Sequence, residues 1–281
     1  MKKGFIRFLI WIGIIAVLTI VAMSIWMLIW DSSQTTESLK WLQFLQTVGT
    51  FLLPPVLCAW WWDEKKRPFN WLKMDRSVPP TYFLMAISIM IIALPAINLL
   101  ADLNGRIKLP ESLDFIEQKL KSYEQSAALL TERFLRADNV STLLINIGLL
   151  ALLPALGEEL TFRGTLQQIC AGNTESSFSN RQHLAIWFTA IIFSAIHMQF
   201  YGFIPRMLMG AMFGYIFVWT GSLWIPVTMH FTNNCIAVLA YQLAPKNADT
   251  FGAGNTWWVG VISLLITSLG LLIFYHRTHR R

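Results

Sequence analysis

The chain has 281 residues, of which 55% are hydrophobic and only 14% are charged. Soluble domains carry about 25% charged residues, so this composition excludes an ordinary soluble protein and indicates a chain that crosses a membrane several times. The net charge is +6. In a membrane protein such an excess reports orientation more often than nucleic-acid binding, and we expect no nucleic-acid partner.

Eight apolar runs are long enough, or nearly so, to cross a bilayer, which takes about 20 residues of helix. They cover residues 5–30, 41–62, 82–101, 140–162, 184–200, 204–220, 223–243 and 257–275. The first run follows Lys2 and Lys3 as in a signal peptide, but it is too long and ends without a small-residue cleavage site, so we interpret it as an uncleaved span. The sequence predicts an all-α polytopic membrane bundle of about eight transmembrane helices, surrounded by membrane lipid.

The positions of Lys and Arg predict the orientation. If both termini are cytoplasmic, the short segments on that side hold most of the basic residues outside the long loop, including residues 65–67 and the tail after residue 275. An even number of spans agrees with this arrangement. We expect an integral protein of a bacterial inner membrane, with both termini in the cytoplasm.

The long loop between residues 102 and 139 has apolar side chains at helical spacing, separated by Glu, Lys and Gln. This pattern predicts an amphipathic helix that lies on the outer membrane face or caps the bundle, although an ordinary solvated helix fits nearly as well. The chain is thereby divided into residues 1–139, residues 140–243, and residues 244–281 with the last span and a basic tail. The middle part holds the polar residues described next.

Glu158 and Glu159 lie at the end of an apolar run, where carboxylates are energetically costly and therefore functional candidates. Glu159 and Arg163 are four residues apart, so they share a helix face and can form an ion pair. Glu158 is rotated about 100° away from Glu159. We interpret Glu159 as structural, and the unpartnered Glu158 as a candidate general base.

Two histidines lie deep in later apolar runs. Phe193 and His197 are four apart, as are His230 and Asn234. A single buried histidine is more often a packing residue, but two of them with a Glu pair and an Asn favour one shared polar cavity. A carboxylate and a histidine can deprotonate water, and a histidine and an asparagine can donate hydrogen bonds to an oxyanion, which suits amide hydrolysis.

A metal site is an alternative for the same residues. Glu158, His197 and His230 could hold zinc, which would then activate the water. The sequence leaves the cofactor open, as zinc or none. It contains no HExxH motif of the soluble zinc proteases.

These clusters resemble the signature of the CPBP family, which includes the type II CAAX prenyl endopeptidases and related bacteriocin-processing and immunity membrane proteins. The family motifs EExxxR, FxxxH and HxxxN match residues 158–163, 193–197 and 230–234, in that order. The resemblance covers about residues 140–243, which would form the catalytic core. It implies an eight-helix intramembrane endopeptidase with an active site open toward the cytosol.

The resemblance also implies roles for single residues. Glu158 and His197 would activate water, and His230 and Asn234 would stabilise the oxyanion. The supporting residues Glu159 and Arg163 would hold the helix ends together, with Phe193 beside them. The expected substrate is a peptide or a membrane-protein segment. For a bacterial member, a peptide leader, a membrane-protein tail or a bacteriocin precursor fits better than a prenylated protein.

Two other function classes stay open at this point. A membrane protein of the same fold can act without catalysis, as an immunity or scaffold factor. A transporter could use Glu158 and the histidines as a proton relay, although the chain shows neither an internal repeat nor the pair of Gly/Pro-interrupted helices typical of such proteins.

Overall fold

The computed structural model describes residues 2–30, 35–172, 179–243 and 253–279. All regular elements in these ranges are helical, so the predicted all-α class is confirmed. The long helices are α1 (Lys2–Trp30), α2 (Thr36–Trp62), α3 (Pro80–Gly105), α4 (Asp114–Leu135), α5 (Val140–Ala171), α6 (Asn180–Ala195), α7 (Phe203–Thr220), α8 (Trp224–Leu243) and α9 (Trp257–His279). A single helical turn, Pro68–Trp71, interrupts the segment between α2 and α3.

Within the described ranges, six helices are long and apolar enough to cross a membrane, namely α1, α2, α3, α5, α7 and α9. The protein is therefore an integral membrane protein, but the predicted count of eight spans is not confirmed. Helix α6 has only 16 residues. Helix α8 has 20 residues, but the polar side chains of His230, Asn233 and Asn234 reduce its mean hydropathy. The three-part division of the chain stays a prediction.

Helix α3 lies at the centre of the main core. Its buried side chains pack against α7, α8 and α9, and the cluster includes Met90, Phe213, Met229 and Phe274. Pro95 lies inside α3 and removes one backbone donor. Close to it, the Ser263 hydroxyl of α9 donates to the Ile92 carbonyl and accepts from the Ala96 amide. This side chain repairs the interrupted backbone ladder and joins α9 to α3.

The predicted amphipathic helix is α4, and its last turn packs against the bundle. Phe134 and Leu135 are buried. The Arg133 Nε donates to the Thr36 hydroxyl at 2.9 Å, and the Asn146 side chain donates to the Leu135 carbonyl at 3.2 Å. Helix α4 therefore caps the ends of α2 and α5, and we call this side of the molecule the α4 end.

The opposite side is called the basal end. It holds the start of α1, residues 63–79, the end of α5, the starts of α6 and α8, and the end of α9. Contacts between these pieces include the Arg7 guanidinium 5.4 Å from the Trp62 ring centroid, and the Trp224 indole N–H donating to the Met74 carbonyl at 2.7 Å. The two ends give a frame for locating the site.

Candidate active site

Arg163 and Glu159 form a fully buried ion pair. The Arg163 Nη1 donates to Glu159 Oε1 at 2.6 Å, and both side chains have 0% exposure. The Arg163 Nη2 donates to the Gly210 carbonyl of α7 at 2.8 Å. The guanidinium carbon also lies 4.8 Å from the Phe193 ring centroid and 5.3 Å from that of Phe213. A buried charge needs such partners, and Arg163 joins α5 to α6 and α7 through them.

Two glycines of α7 make this close approach possible. The Gln167 side chain donates to the Gly214 carbonyl at 3.2 Å, one turn from the bond between Arg163 and Gly210. A Cβ atom on Gly214 would lie 2.9 Å from Cγ2 of Ile186, and one on Gly210 would lie 3.2 Å from Cδ1 of the Phe193 ring. The sequence analysis missed this contact, although the GxxxG spacing of residues 210 and 214 typically marks close helix packing.

His230 is held in one orientation by α5. Its Nδ1 lies 2.8 Å from Glu159 Oε1, so Glu159 accepts from both Arg163 and His230. The imidazole stacks on Phe213 with ring centroids 5.5 Å apart and meets the edge of Phe193 at 5.9 Å. The carboxylate can only accept, so Nδ1 carries a hydrogen and Nε2 points the other way.

Glu158 faces that second nitrogen. Its Oε2 lies 3.7 Å from His230 Nε2, and its side chain is 15% exposed. With Nδ1 protonated, a neutral His230 would present a lone pair to a carboxylate oxygen, and two acceptors do not attract each other. A proton on either partner removes this conflict. The 3.7 Å separation is longer than a hydrogen bond, so the Glu158 carboxylate faces His230 without being bonded to it.

His197 lies just beyond the end of α6, where Met198 takes a left-handed backbone conformation (φ 54°) that stops the helix. The His197 Nδ1 lies 2.8 Å from the Phe193 carbonyl oxygen. A carbonyl only accepts, so Nδ1 is the protonated nitrogen and Nε2 keeps its lone pair. The Phe193 and His197 ring centroids are 5.2 Å apart, and the Phe193 ring also contacts His230 and Arg163. One aromatic ring therefore sets the spacing of these three side chains.

Asn234 lies one turn beyond His230, toward the α4 end. Its Oδ1 accepts from the Asn233 side chain at 3.2 Å, which leaves both of its own N–H groups as donors. Asn233 and Gln199 line a cavity of about 490 Å³ together with α4 residues that include Thr131 and Glu132. This cavity lies beside the site, and Glu158, His197 and His230 are not part of its lining.

Arg206 is a further charged residue near the site that the sequence analysis did not select. Its Nη2 donates to Gln199 Oε1 at 2.5 Å. The carboxylates that act on its charge are Glu124 of α4 and Glu158. Arg206 is a charged residue within an apolar run, as the two glutamates are, so the same criterion would have identified it from the sequence.

The residues as placed do not fit a three-ligand zinc site. Catalytic zinc takes three protein ligands, and among the described residues no three His, Cys, Asp or Glu side chains lie close enough together to hold a metal ion. The alternative set of Glu158, His197 and His230 gains no support from this geometry. The mechanism below takes no step through a metal.

Contacts at Phe193 and His230 thus bring the two glutamates, Arg163 and His197 together, while Asn234 lies one helical turn from His230. Residues 140–236 match the family model described as type II CAAX prenyl endopeptidase Rce1-like. This segment is therefore similar to the Rce1-like family. The match includes all of the predicted site residues and leaves α1 to α4 and α9 outside it.

One curated relative is similar to part of the chain. The chain is 33% identical over 98 residues to the uncharacterized protein YpbD of Bacillus subtilis (strain 168). The aligned part is 34% of this chain and 43% of that relative, so the similarity spans less than half of either protein. No solved structure matches the chain.

Proposed function

We propose that this Rce1-like protein is an intramembrane endopeptidase, with Glu158 as the general base. The observation that carries the proposal is the different bonding of the two adjacent glutamates. Oε1 of Glu159 accepts from both Arg163 and His230, whereas the Glu158 carboxylate is directed at His230 Nε2 across 3.7 Å without a hydrogen bond. A carboxylate that is positioned but not hydrogen-bonded is suited to take a proton from water.

The proposed reaction begins with a water molecule between Glu158 and His197. Glu158 removes one proton, and the lone pair on His197 Nε2 accepts a hydrogen bond from the other and orients the water. The hydroxide adds to the peptide carbonyl carbon. The protonated Nε2 of His230 and the Nδ2 group of Asn234 donate to the oxyanion, as preorganised donors in a site of low dielectric constant.

Collapse of this intermediate breaks the C–N bond. Glu158 returns its proton to the leaving nitrogen, so that one water is consumed and a carboxylate and an amine are formed. Glu159 stabilises the positive charge on His230 throughout, because its carboxylate accepts from Nδ1. Arg163 and Phe193 act by positioning and touch no reacting atom.

The substrate would reach Glu158 from the α4 end. The ion pair, Gly210 and the packed aromatic rings fill the basal side of the site, whereas the cavity of about 490 Å³ lies toward α4. The family resemblance implies cleavage at the cytosolic face, but the Lys/Arg bias puts the basal end in the cytoplasm and the α4 end outside. The two predictions conflict, and we follow the charges of this chain.

Cysteine labelling tests this orientation. Ser122 of α4 and Ser77 at the basal end are both exposed. In a background with Cys170 and Cys235 replaced by serine, a membrane-impermeant maleimide added to intact cells should label Ser122→Cys but not Ser77→Cys. The reverse pattern would place the site at the cytosolic face, with both termini outside.

Membrane proteomics tests the activity itself. New peptide termini should accumulate in cells with the wild-type protein and be absent with Glu158→Gln. The matched control is Glu117→Gln, which removes a carboxylate from an ion pair on the exposed side of α4. A Glu158→Gln protein that still complements a deletion would instead favour the non-catalytic immunity or scaffold function.

A further inference from the structure

A second polar cavity lies at the basal end, away from the proposed active site. It has a volume of about 330 Å³ and is enclosed by α1, the segment before α3, the end of α5 and the start of α6. Three cations line it, namely Arg7, Lys73 and Arg181, and none of its described lining residues is acidic. A concave site with only positive charge attracts anions.

The three cations have only neutral partners. Arg7 lies over the Trp62 ring at 5.4 Å, and the Lys73 ammonium lies 5.0 Å from the Phe217 ring centroid. The Arg181 Nε donates to the Cys170 carbonyl at 3.1 Å. Within the described residues none of the three forms an ion pair, so their charges are not neutralised there.

Two unusual backbone positions hold these cations in place. Lys73 has a left-handed conformation (φ 57°), which is unfavourable for a residue with a side chain. Its carbonyl is fixed by the Leu223 amide at 3.0 Å. Gly172 also has positive φ (68°), and a Cβ atom there would lie 3.0 Å from the Arg181 guanidinium. The left-handed backbone at Lys73 and the absence of a side chain at Gly172 thus hold the cations around the cavity.

Two glutamines of the lining carry buried oxygens. The Oε1 atoms of Gln167 and Gln182 have no hydrogen-bond partner within the described residues. The Gln167 side-chain nitrogen donates to the Gly214 carbonyl, which fixes this side chain against α7. Burial and, as the smaller effect, the nearby Arg76 lower the pKa of Lys73. The cations, and not these inaccessible oxygens, therefore decide which ligand fits, and that ligand is an anion.

We propose that the basal cavity binds an anionic phosphate ester, such as the headgroup of phosphatidylglycerol. The phosphate would lie between the three cations. Basic pockets between transmembrane helices bind anionic headgroups in this way. A soluble ester such as glycerol phosphate has the same chemistry, and the experiment separates the two sources.

Binding is measured with the purified full-length protein in detergent, by native mass spectrometry and by the shift of its unfolding temperature. The probes are phosphatidylglycerol, phosphatidylcholine and glycerol 3-phosphate. Phosphatidylglycerol should bind more tightly than phosphatidylcholine, and Arg181→Gln should weaken it about fivefold, since each basic residue near a headgroup contributes about 1 kcal/mol. Arg277→Gln, a basal basic residue outside the cavity, should leave the affinity unchanged.

Each outcome of the binding experiment either supports or overturns the proposal. Binding of both phosphatidylglycerol and glycerol 3-phosphate, each weakened by Arg181→Gln, supports a site for the phosphate ester itself. Binding of the lipid alone supports a headgroup site that needs the bilayer. Equal affinity for phosphatidylcholine, or equal loss in Arg277→Gln, overturns the proposal. If Arg181→Gln does not fold, Lys73→Gln serves as the second variant.

One acidic residue, Glu175, lies close in sequence but outside the described residues. The Glu175→Gln variant should bind phosphatidylglycerol as the wild-type protein does. If binding appears only in that variant, an internal carboxylate occupies the cavity and the proposal is wrong. The active-site variant Glu158→Gln should bind the lipid normally, so failure of this proposal and failure of the peptidase proposal are distinguishable.

Discussion

The two sides of the candidate site differ in how firmly their polar groups are held. On the basal side, Glu159 and Arg163 are fully buried and hold each other, His230 and the backbone of α7, although Oε2 of Glu159 and Nε of Arg163 have no partner within the described residues. On the α4 side, the Glu158 carboxylate forms no hydrogen bond in the described part of the chain, and the side chains of His197 and Asn234 each have a single one. A buried and bonded network fixes geometry, whereas accessible unused donors and acceptors are available to a substrate.

Within α5, Glu159 therefore contributes mainly to stability and Glu158 mainly to the chemistry. A buried ion pair adds little net stability compared with apolar residues, but its loss leaves an uncompensated charge and is costly. A residue such as Glu158 has few bonds to lose. Loss of Glu159 should therefore lower stability, whereas loss of Glu158 should lower activity.

The largest effect is expected for Glu158→Gln. Removal of the general base should lower the turnover number by about 10²–10⁴-fold, while the unfolding temperature should not fall, because no hydrogen bond within the described residues is lost. Peptidase kinetics and thermal unfolding in detergent measure the two quantities. Substantial activity in this variant would end the assignment of Glu158 as the base.

Arg163→Met should act mainly on stability. The variant leaves Glu159 buried beside His230 with one partner fewer, and the free energy of unfolding should fall by about 3–5 kcal/mol. The double variant Glu159→Gln/Arg163→Met should recover part of this loss, because no buried charge then stays unpaired. Loss of activity with unchanged stability would instead show that Arg163 takes part in the chemistry.

Gly210→Ala should disturb the packing that spaces the site. The added methyl group would lie 3.2 Å from the Phe193 ring, which contacts both histidines. We expect a loss of about 1–3 kcal/mol, as for other overpacked positions, together with lower activity. Gly13→Ala is the matched control, since a Cβ there meets nothing within 4 Å. Equal effects in the two variants would mean that helix propensity, and not packing, is responsible.

The smallest effect is expected from metal removal. The proposed chemistry uses side chains alone, so a chelator should leave activity unchanged and elemental analysis should find no stoichiometric zinc. Zinc at one ion per chain, with activity lost on chelation and restored by the metal, would show that the open side of the site depends on a metal.

The sequence predicted the features that depend on local spacing. The helical class, the amphipathic helix α4 and the pairing of Glu159 with Arg163 all follow from patterns within a few residues, and the structure contains them. The roles of Glu158, His197, His230 and Asn234 in catalysis stay predictions. Three residues that the sequence assigned to separate motifs share one ring contact at Phe193.

Contacts between distant residues could not be predicted in this way. Glu159 was interpreted as a partner of Arg163 alone, because its bond to His230 joins positions 71 residues apart in the chain. The count of eight spans is not confirmed, for a related reason. The helices α6 and α8 were predicted to span the membrane from their apolar content. The length of α6, however, is set by the left-handed turn at Met198, which composition does not reveal.

The backbone of α5 widens into a π-helical turn at Phe162–Gln167, directly after the two glutamates. Such a turn is equivalent to one extra residue inserted into a regular helix, and these turns often occur at functional sites. Deletion of one residue from this turn would restore ordinary helical phase. The residues beyond the turn would keep their orientation, because the turn already absorbs the extra residue, while side chains inside the turn, such as Gln167, would shift relative to Gly214. The π-helical turn thus separates the two glutamates from the later residues of α5 that line the basal cavity.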